Sequence, residues 1–226
     1  MKKLNSILSA VALFATVISN AQVRTTVGDS DGRSVTTRKE QSQAATGSKF
    51  VNDKFMPAKL SSSTSVILLR YNAYTDDFEI SNPQEQNVQI LPKEANIDVV
   101  FPSQDKKYTY TDFVKKDGAK TSGYLVVLSD DPKVKIYKKE TITMTAEYFP
   151  TNSYQTYKPA NFKRAKDEFY VKVGNEEAVY FDGKKDFAKL VPGKNKEVLE
   201  FIKKNSLSLD KDTDLQKLGQ FTGSIL

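Results

Sequence analysis

Between Phe50 and Asp182 this chain leaves no room for a helix between one strand and the next. Short runs of β-branched and aromatic residues follow one another there, parted by turn-forming residues at fairly regular intervals. Parallel strands need a crossover of roughly a dozen residues or more, usually helical. The spacing therefore predicts an antiparallel meander, closed into a sandwich or partial barrel, in a mainly β (α+β) chain. Residues 65–74 (Ser-Val-Ile-Leu-Leu-Arg-Tyr-Asn-Ala-Tyr) and 78–80 flank Thr75-Asp76-Asp77 and read as a hairpin. Val88-Gln-Ile90 and Ile97-Asp-Val99-Val-Phe101 follow, bounded by Pro83, Pro92 and Pro102. Residues 108–113 turn through Lys116-Asp117-Gly118 into Tyr124-Leu-Val-Val-Leu128, apolar on both faces as a central strand is. Ser129-Asp-Asp-Pro132 forms a turn, and Val134-Lys-Ile136 resumes the alternation. Ile142, Met144, Ala146 and Tyr148 then make one apolar face, and residues 168–173 and 178–181 read as a closing hairpin around Gly174-Asn175.

Residues 149–166 interrupt that rhythm with Pro150, Pro159, the polar-flanked aromatics Tyr154, Tyr157 and Phe162, and the basic pair Lys163-Arg164. They read as a long structureless loop, and such loops in compact domains are mostly functional or disordered. After Gly183 the apolar period becomes helical. Phe187, Leu190 and Val191 form a first turn stopped by Pro192-Gly193, and Val198, Leu199, Phe201 and Ile202 stripe a second helix capped by Asn205. A last helix is expected to start with Asp212 or Thr213 as N-cap and to turn Leu215, Leu218 and Phe221 inward. Residues 183–226 are thus expected to form a small helical appendage to a β domain spanning 49–182.

The first 21 residues read as a secretory signal peptide: Lys2-Lys3, an apolar run from Ile7 to Ile18, and Ser19-Asn20-Ala21 ahead of a cleavage after Ala21. That run falls short of the roughly 20 residues a spanning helix needs, and no Cys at the junction receives a lipid. The mature chain is expected to be periplasmic or extracellular, with no membrane span. Residues 22–48 are rich in Thr, Ser, Gln, Gly and Arg and lack apolar periodicity, so they read as a flexible leader.

Composition removes much chemistry. With His 0 and Cys 0, the chain has no neutral-pH imidazole base, no Ser-His-Asp triad, no thiol nucleophile and no disulfide, and it lacks the commonest zinc ligand. Removing Lys2 and Lys3 with the signal leaves 32 basic against 28 acidic side chains, or +4. The lysine clusters near the C-terminus mix both signs, as solvated helix faces do, so nucleic acid is not an expected partner.

No cofactor or metal is expected. Asp210, Asp212 and Asp214 have the rhythm that opens a calcium loop, but Leu215 replaces the required glycine and Phe221 the bidentate glutamate, and N-capping explains the cluster. Ser103-Gln-Asp-Lys106 matches a bare Ser-x-x-Lys spacing without its companion motifs. Carboxylates remain for acid-base work, among them Asp76-Asp77, Asp98, Asp112 and Asp130-Asp131, though two of these pairs fall in turns, where Asp serves local hydrogen bonding. The binding candidates are aromatic and basic. Tyr71 and Tyr74 either display rings on a sheet surface or pair across strands within it, whereas Tyr154, Tyr157 and Phe162, with Lys163 and Arg164, sit in the long loop, where packing gives aromatics less reason to exist.

Arg70-Tyr-Asn-Ala-Tyr-Thr-Asp-Asp-Phe-Glu-Ile80, Lys166-Asp-Glu-Phe-Tyr-Val-Lys172, and the tail Asp186-Phe-Ala-Lys-Leu-Val-Pro-Gly193 running into Glu200-Phe-Ile-Lys-Lys-Asn205 resemble uncharacterised exported, signal-peptide-bearing proteins of Bacteroidota, a family of unknown function. The resemblance covers most of the mature chain and implies address and architecture, not activity. The helical C-terminus is unlike the β-rich sorting domain used for surface secretion in that phylum, which favours periplasmic retention over release. The expected function is that of a non-enzymatic binding or interaction protein of the bacterial envelope, partnered by an envelope protein or polysaccharide. The alternatives are a carboxylate-dependent glycan hydrolase, which needs a cleft holding two carboxyl groups, and a structural component of an envelope assembly.

Overall fold

A computed structural model describes residues 26–28, 34–36, 44–81, 89–95 and 97–226 of the chain. The expected signal peptide, residues 1–21, lies outside the described residues, as do most of the leader and Val88. The chain divides into two units, Met1–Gln41 and Ser42–Leu226. In the first, β1 (Thr26–Gly28) and β2 (Ser34–Thr36) pair antiparallel, a ladder the leader's composition does not predict.

In the second unit the strands, in chain order, are β3 (Met56–Leu60), β4 (Val66–Asn72), β5 (Asp77–Ile80), β6 (Gln89–Ile90), β7 (Val99–Phe101), β8 (Lys106–Val114), β9 (Lys120–Asp130) and β10 (Val134–Lys139). They are followed by β11 (Ile142–Thr145), β12 (Asn161–Arg164), β13 (Glu168–Val173) and β14 (Ala178–Phe181), and then by α1 (Lys184–Lys189), α2 (Asn195–Lys204) and α3 (Asp212–Ile225). Ten of these strands form one sheet in the order β14-β13-β10-β9-β8-β7-β3-β4-β5-β6. The meander is antiparallel throughout, and at its end β14 returns to β8, pairing Ala178 with Phe113 and Val179 with Val114 in parallel. That closing pair has to be parallel: strand direction alternates around β8-β9-β10-β13-β14, and a ring of five antiparallel neighbours cannot close without one exception. The expected partial barrel is therefore real, and it is a five-stranded ring with an open wing, β7-β3-β4-β5-β6, continuing from the first half of β8.

The alternation of side chains across these strands builds two apolar clusters. One residue from each ring strand, Phe113, Leu125, Tyr137, Tyr170 and Ala178, fills the ring interior, with Phe113 edge-on to Tyr170 at 4.7 Å. The opposite faces of the same strands contribute Tyr108, Tyr124, Val126, Ile136 and Phe181 to a larger core, which the wing shares through Ala58, Leu69, Tyr71 and Phe78. β9 feeds both clusters, as its continuous apolar run predicts. At about 1.5–3 kcal/mol for each large side chain removed from water, these burials supply the main driving force for the fold.

The helices belong to that core. Phe187, Val198, Ile202, Leu215 and Leu218 are buried in the same cluster as the sheet, and Phe201 stacks on Phe221 with ring centroids 3.8 Å apart. α3 crosses β9 and β10 closely because Gly219 faces them: a Cβ there would sit inside van der Waals contact with the Ser129 side chain and 3.3 Å from Ile136 Cδ1. The Asn205 C-cap is present, its amide donating to the Phe201 carbonyl at 2.9 Å. The N-cap of the last helix differs from expectation. Lys211 occupies that position without a side-chain bond, Asp212 is drawn to the sheet by Lys138, and Asp214 accepts from the Ser208 amide at 3.0 Å. A long-range ion pair has displaced the local cap, while both carboxylates still lie in the first turn, where the helix dipole favours them.

Gly219→Ala should lower the unfolding free energy by about 1–3 kcal/mol in a denaturant titration, through overpacking against Ser129 and Ile136. The exposed neighbour change Gln220→Ala should stay within about 0.5 kcal/mol of the parent. A Gly219→Ala protein as stable as the parent would contradict the close contact.

Candidate functional site

The expected loop 149–166 is part of a hairpin. β11 and β12 pair from Ile142–Arg164 to Thr145–Asn161, and the ladder resumes in the same register at Tyr148 and Lys158, which exchange backbone hydrogen bonds of 2.8 and 3.0 Å. On the far side of β12, Thr46 adds a third, parallel rung, donating to Ala160 O at 2.8 Å and accepting from the Phe162 amide at 2.9 Å. The tip is folded on itself. The Gln155 side-chain carbonyl accepts from the Tyr148 hydroxyl and from the Thr151 amide and hydroxyl, the latter two at 3.2 Å, and Asn152 accepts from the Tyr154 amide at 3.1 Å. Because β11 pairs only with β12, leaving the main sheet, Met144 and Tyr148 are exposed on this arm and not in the core.

The arm carries most of the aromatic surface. Tyr154 is 97% exposed at the tip, and Tyr148 and Phe149 are each 40% exposed along the ladder. Phe149 packs on Tyr157 with ring centroids 5.2 Å apart, and the Tyr157 hydroxyl donates to Glu147 at 3.1 Å. Phe162 lies edge-on to Tyr74 at 5.1 Å where the arm joins the body. Lys163 and Arg164 are both exposed, but Arg164 is engaged, pairing with Glu140 at 2.8 Å and with Asp167 at 2.9 Å. Tyr71 is placed differently from these: at 3% exposure it packs on Phe78 and Tyr108, so cross-strand pairing in the core explains it. The structure brings Tyr154, Tyr157 and Phe162 onto one hairpin and adds Phe149, the first residue of the expected loop, and Tyr148, which the strand pattern assigns to an apolar face.

The arm leaves the body beside two consecutive charges whose side chains part to opposite sides. Lys139 has spent all three ammonium hydrogens, on Asp76 Oδ1 at 2.5 Å, on the Tyr124 carbonyl at 3.0 Å and on the Tyr71 hydroxyl at 3.3 Å. Gly123 makes room for this pair, since a Cβ there would lie 2.5 Å from Asp76 Oδ2 and 3.1 Å from Lys139 Nζ. Burial, and then the Asp76 charge, raise the Tyr71 pKa well above the ordinary phenol value, which keeps that hydroxyl a donor. Glu140, only 3% exposed, receives Lys106 at 2.7 and 2.9 Å, the Tyr108 hydroxyl at 2.6 Å and Arg164 at 2.8 Å. Burial opposes its ionisation, but Lys106, Tyr108 and Arg164 outweigh burial and hold its carboxyl below the ordinary value. On the wing, Arg70 donates to Glu79 at 2.6 and 2.8 Å while its guanidinium lies over Phe50 and Phe55, at 3.8 and 4.4 Å from the ring centroids. The Arg70-Tyr71-Asn72 phrase is thus spent on packing and turn bonds, with Asn72 accepting from the Tyr74 and Thr75 amides at 3.2 Å.

A cavity of about 440 Å³ opens at the mouth of the ring, with Phe113, Lys139 and Tyr74 in its lining. Asp76 and Glu168 both line it, and a glycan hydrolase needs two carboxyl groups in one cleft. Asp76, however, is committed to Lys139, Tyr71 and the Tyr124 amide, and Glu168 accepts from the Tyr170 hydroxyl at 2.8 Å. Among the described residues the carboxyl pKa values that move, those of Asp130, Glu140 and Asp182, all move down, whereas a general acid needs one moved up. A second cavity of about 480 Å³ lies between Phe50 and Phe162 at the base of the arm. Among the described residues no three His, Cys, Asp or Glu side chains gather to hold a metal, and no helix is long and apolar enough to cross a membrane. No family model, curated protein or solved structure matches the chain.

Glu140 generates a pH signature. Because its pKa is lower folded than unfolded, its contribution is fully present above the ordinary value of 4.5 and is lost as pH falls through the folded pKa. Glu140→Gln, which strands Lys106 and Arg164, should cost about 3 kcal/mol at neutral pH, measured by urea unfolding. That deficit should shrink as both proteins are taken below the ordinary carboxyl value; a deficit independent of pH would show that Glu140 is not the anion holding Lys106.

Proposed function

We propose that the chain is an exported, non-enzymatic binding protein of the bacterial envelope that meets its partner, an envelope protein or polysaccharide, with the aromatic hairpin arm. The observation that carries this reading is Tyr154, 97% exposed at the tip of a hydrogen-bonded hairpin and flanked by the half-exposed Tyr148 and Phe149. Tyr and Phe supply large contact area from few rotatable bonds, and a tip already tied down by Gln155 loses little further freedom on binding. Export is supported by the basic, apolar and small-residue segments of residues 1–21, and the resemblance to exported Bacteroidota proteins points the same way. The hydrolase alternative draws on Asp76 and Glu168 sharing one cavity, but the bonds already made by Asp76 favour binding.

The test places a photo-crosslinking residue at position 154 of the full chain in its native envelope. A defined adduct is expected, and Tyr148→Ser with Phe149→Ser should abolish it. Tyr154→Ala should weaken that partner's affinity by about tenfold or more while changing unfolding free energy by less than about 0.5 kcal/mol. An adduct indifferent to the arm's aromatics, or glycan cleavage abolished by Asp76→Asn, would overturn the reading.

A further inference from the structure

The cavity at the mouth of the ring has a lining of mixed character that the arm does not explain. It includes the Tyr74 ring, 43% exposed and held edge-on by Phe162, and the buried Phe113. Thr121, Ser122, Thr141 and Thr143 line it as well, the Ser122 hydroxyl donating to Asp112 at 2.5 Å and that of Thr143 to the Lys163 carbonyl at 3.4 Å, so that both keep only their acceptor side. Lys139 in the lining has no hydrogen left to give, because Asp76, Tyr71 and the Tyr124 carbonyl take all three. Lys115 and Lys166 are different. Both line the cavity from exposed positions, and the ammonium group of neither joins an ion pair or hydrogen bond among the described residues. Glu168, which meets the Tyr170 hydroxyl through one oxygen at 2.8 Å, keeps the other as an acceptor.

These groups select a ligand by elimination. At about 440 Å³ the cavity is far larger than an inorganic anion and falls in the range of small-molecule sites. An apolar ligand would forgo the charge-assisted contacts that two ammonium groups offer and would draw nothing from the hydroxyl-bearing lining. A neutral sugar would satisfy the hydroxyls and the Tyr74 ring but not the lysines. An acidic sugar satisfies all of them: its carboxylate between two unpaired ammonium groups, its ring face on tyrosine, and its hydroxyls on threonine, serine and Glu168.

We infer that this cavity binds a hexuronate, free or as a unit of an acidic polysaccharide, with Lys115 and Lys166 holding the carboxylate and Tyr74 lying against the sugar ring. The inference rests on the binding-protein reading and gives it a ligand class at a second place on the body.

The test titrates the full mature chain with glucuronic acid, a short oligogalacturonate, glucose and inorganic phosphate, following the Tyr74 and Thr143 signals by NMR. Saturable binding of glucuronic acid is expected, with glucose weaker by about tenfold, the worth of one charge-assisted contact. Phosphate should not saturate the site. Saturation by glucuronic acid and oligomer alike supports a free or terminal uronate, and saturation by the oligomer alone supports an internal unit of the polymer. Lys115→Gln with Lys166→Gln should bring acidic and neutral sugars to equal affinity while leaving glucose binding and thermal stability unchanged, since both lysines are exposed and unpaired. Equal binding of glucose and glucuronic acid by the parent, saturation by phosphate, saturation by neither uronate, or uronate binding indifferent to the double variant would overturn the inference. Because Tyr154→Ala lies on the arm, it should leave uronate affinity unchanged. A cavity that fails these titrations while the position-154 adduct persists therefore removes this inference and leaves the arm's role standing.

Discussion

Two residue pairs, Ala178 with Phe113 and Val179 with Val114, decide the shape of this molecule. Without that short parallel ladder β14 would be a free edge and the ring interior would open to water. With it, Phe113, Leu125, Tyr137, Tyr170 and Ala178 close into a dry cluster, and the outer faces of the same strands are free to take the wing and the helices. A ladder of this length contributes few hydrogen bonds. The stabilisation comes from the aromatic interior it seals, in which each ring strand has one side chain.

The buried ions follow from the same geometry. The end of β10 sits at the mouth of the ring, so Lys139 and Glu140, pointing to opposite sides, meet the β4–β5 turn and the start of β8 respectively. Leaving either charge unpaired there would cost several kcal/mol, which fixes the two partner segments where the charges need them. Tyr71 and Tyr108, packed at a tilt with centroids 5.0 Å apart, deliver one hydroxyl to each ion pair and tie both into the aromatic core. The arm therefore departs from a place where the backbone is held from two sides.

Much of this was legible in the sequence. The hairpins β4–β5, β8–β9 and β13–β14, the central position of β9, and the three helices with their inward stripes follow from period and turn residues alone, because in these elements local pattern and tertiary environment agree. The arm was not legible as a strand pair. Ile142, Met144, Ala146 and Tyr148 alternate as a core face does, and nothing local says that β11 pairs outside the main sheet and buries only Ile142. The ring closure and the ion pairs are long-range in sequence: Lys106 and Glu140, or Asp76 and Lys139, carry no local signal of burial. Among the site candidates, the loop aromatics stood out by their polar, proline-marked surroundings, although only Tyr154 is left without packing, since Tyr157 meets Phe149 and Phe162 meets Tyr74. Tyr71 could not be told from them, since a strand tyrosine looks the same in sequence whether it faces water or the core.

The account turns on an arm that is ordered before it meets anything. Residue-resolved hydrogen exchange on the free full-length chain tests this directly. The Tyr148 and Lys158 amides, bonded to each other's carbonyls, should exchange at least about a hundredfold more slowly than unfolded peptide, while the Tyr154 ring stays accessible to solvent. Exchange of both amides at the unfolded rate, in a chain whose β9 amides remain protected, would contradict it.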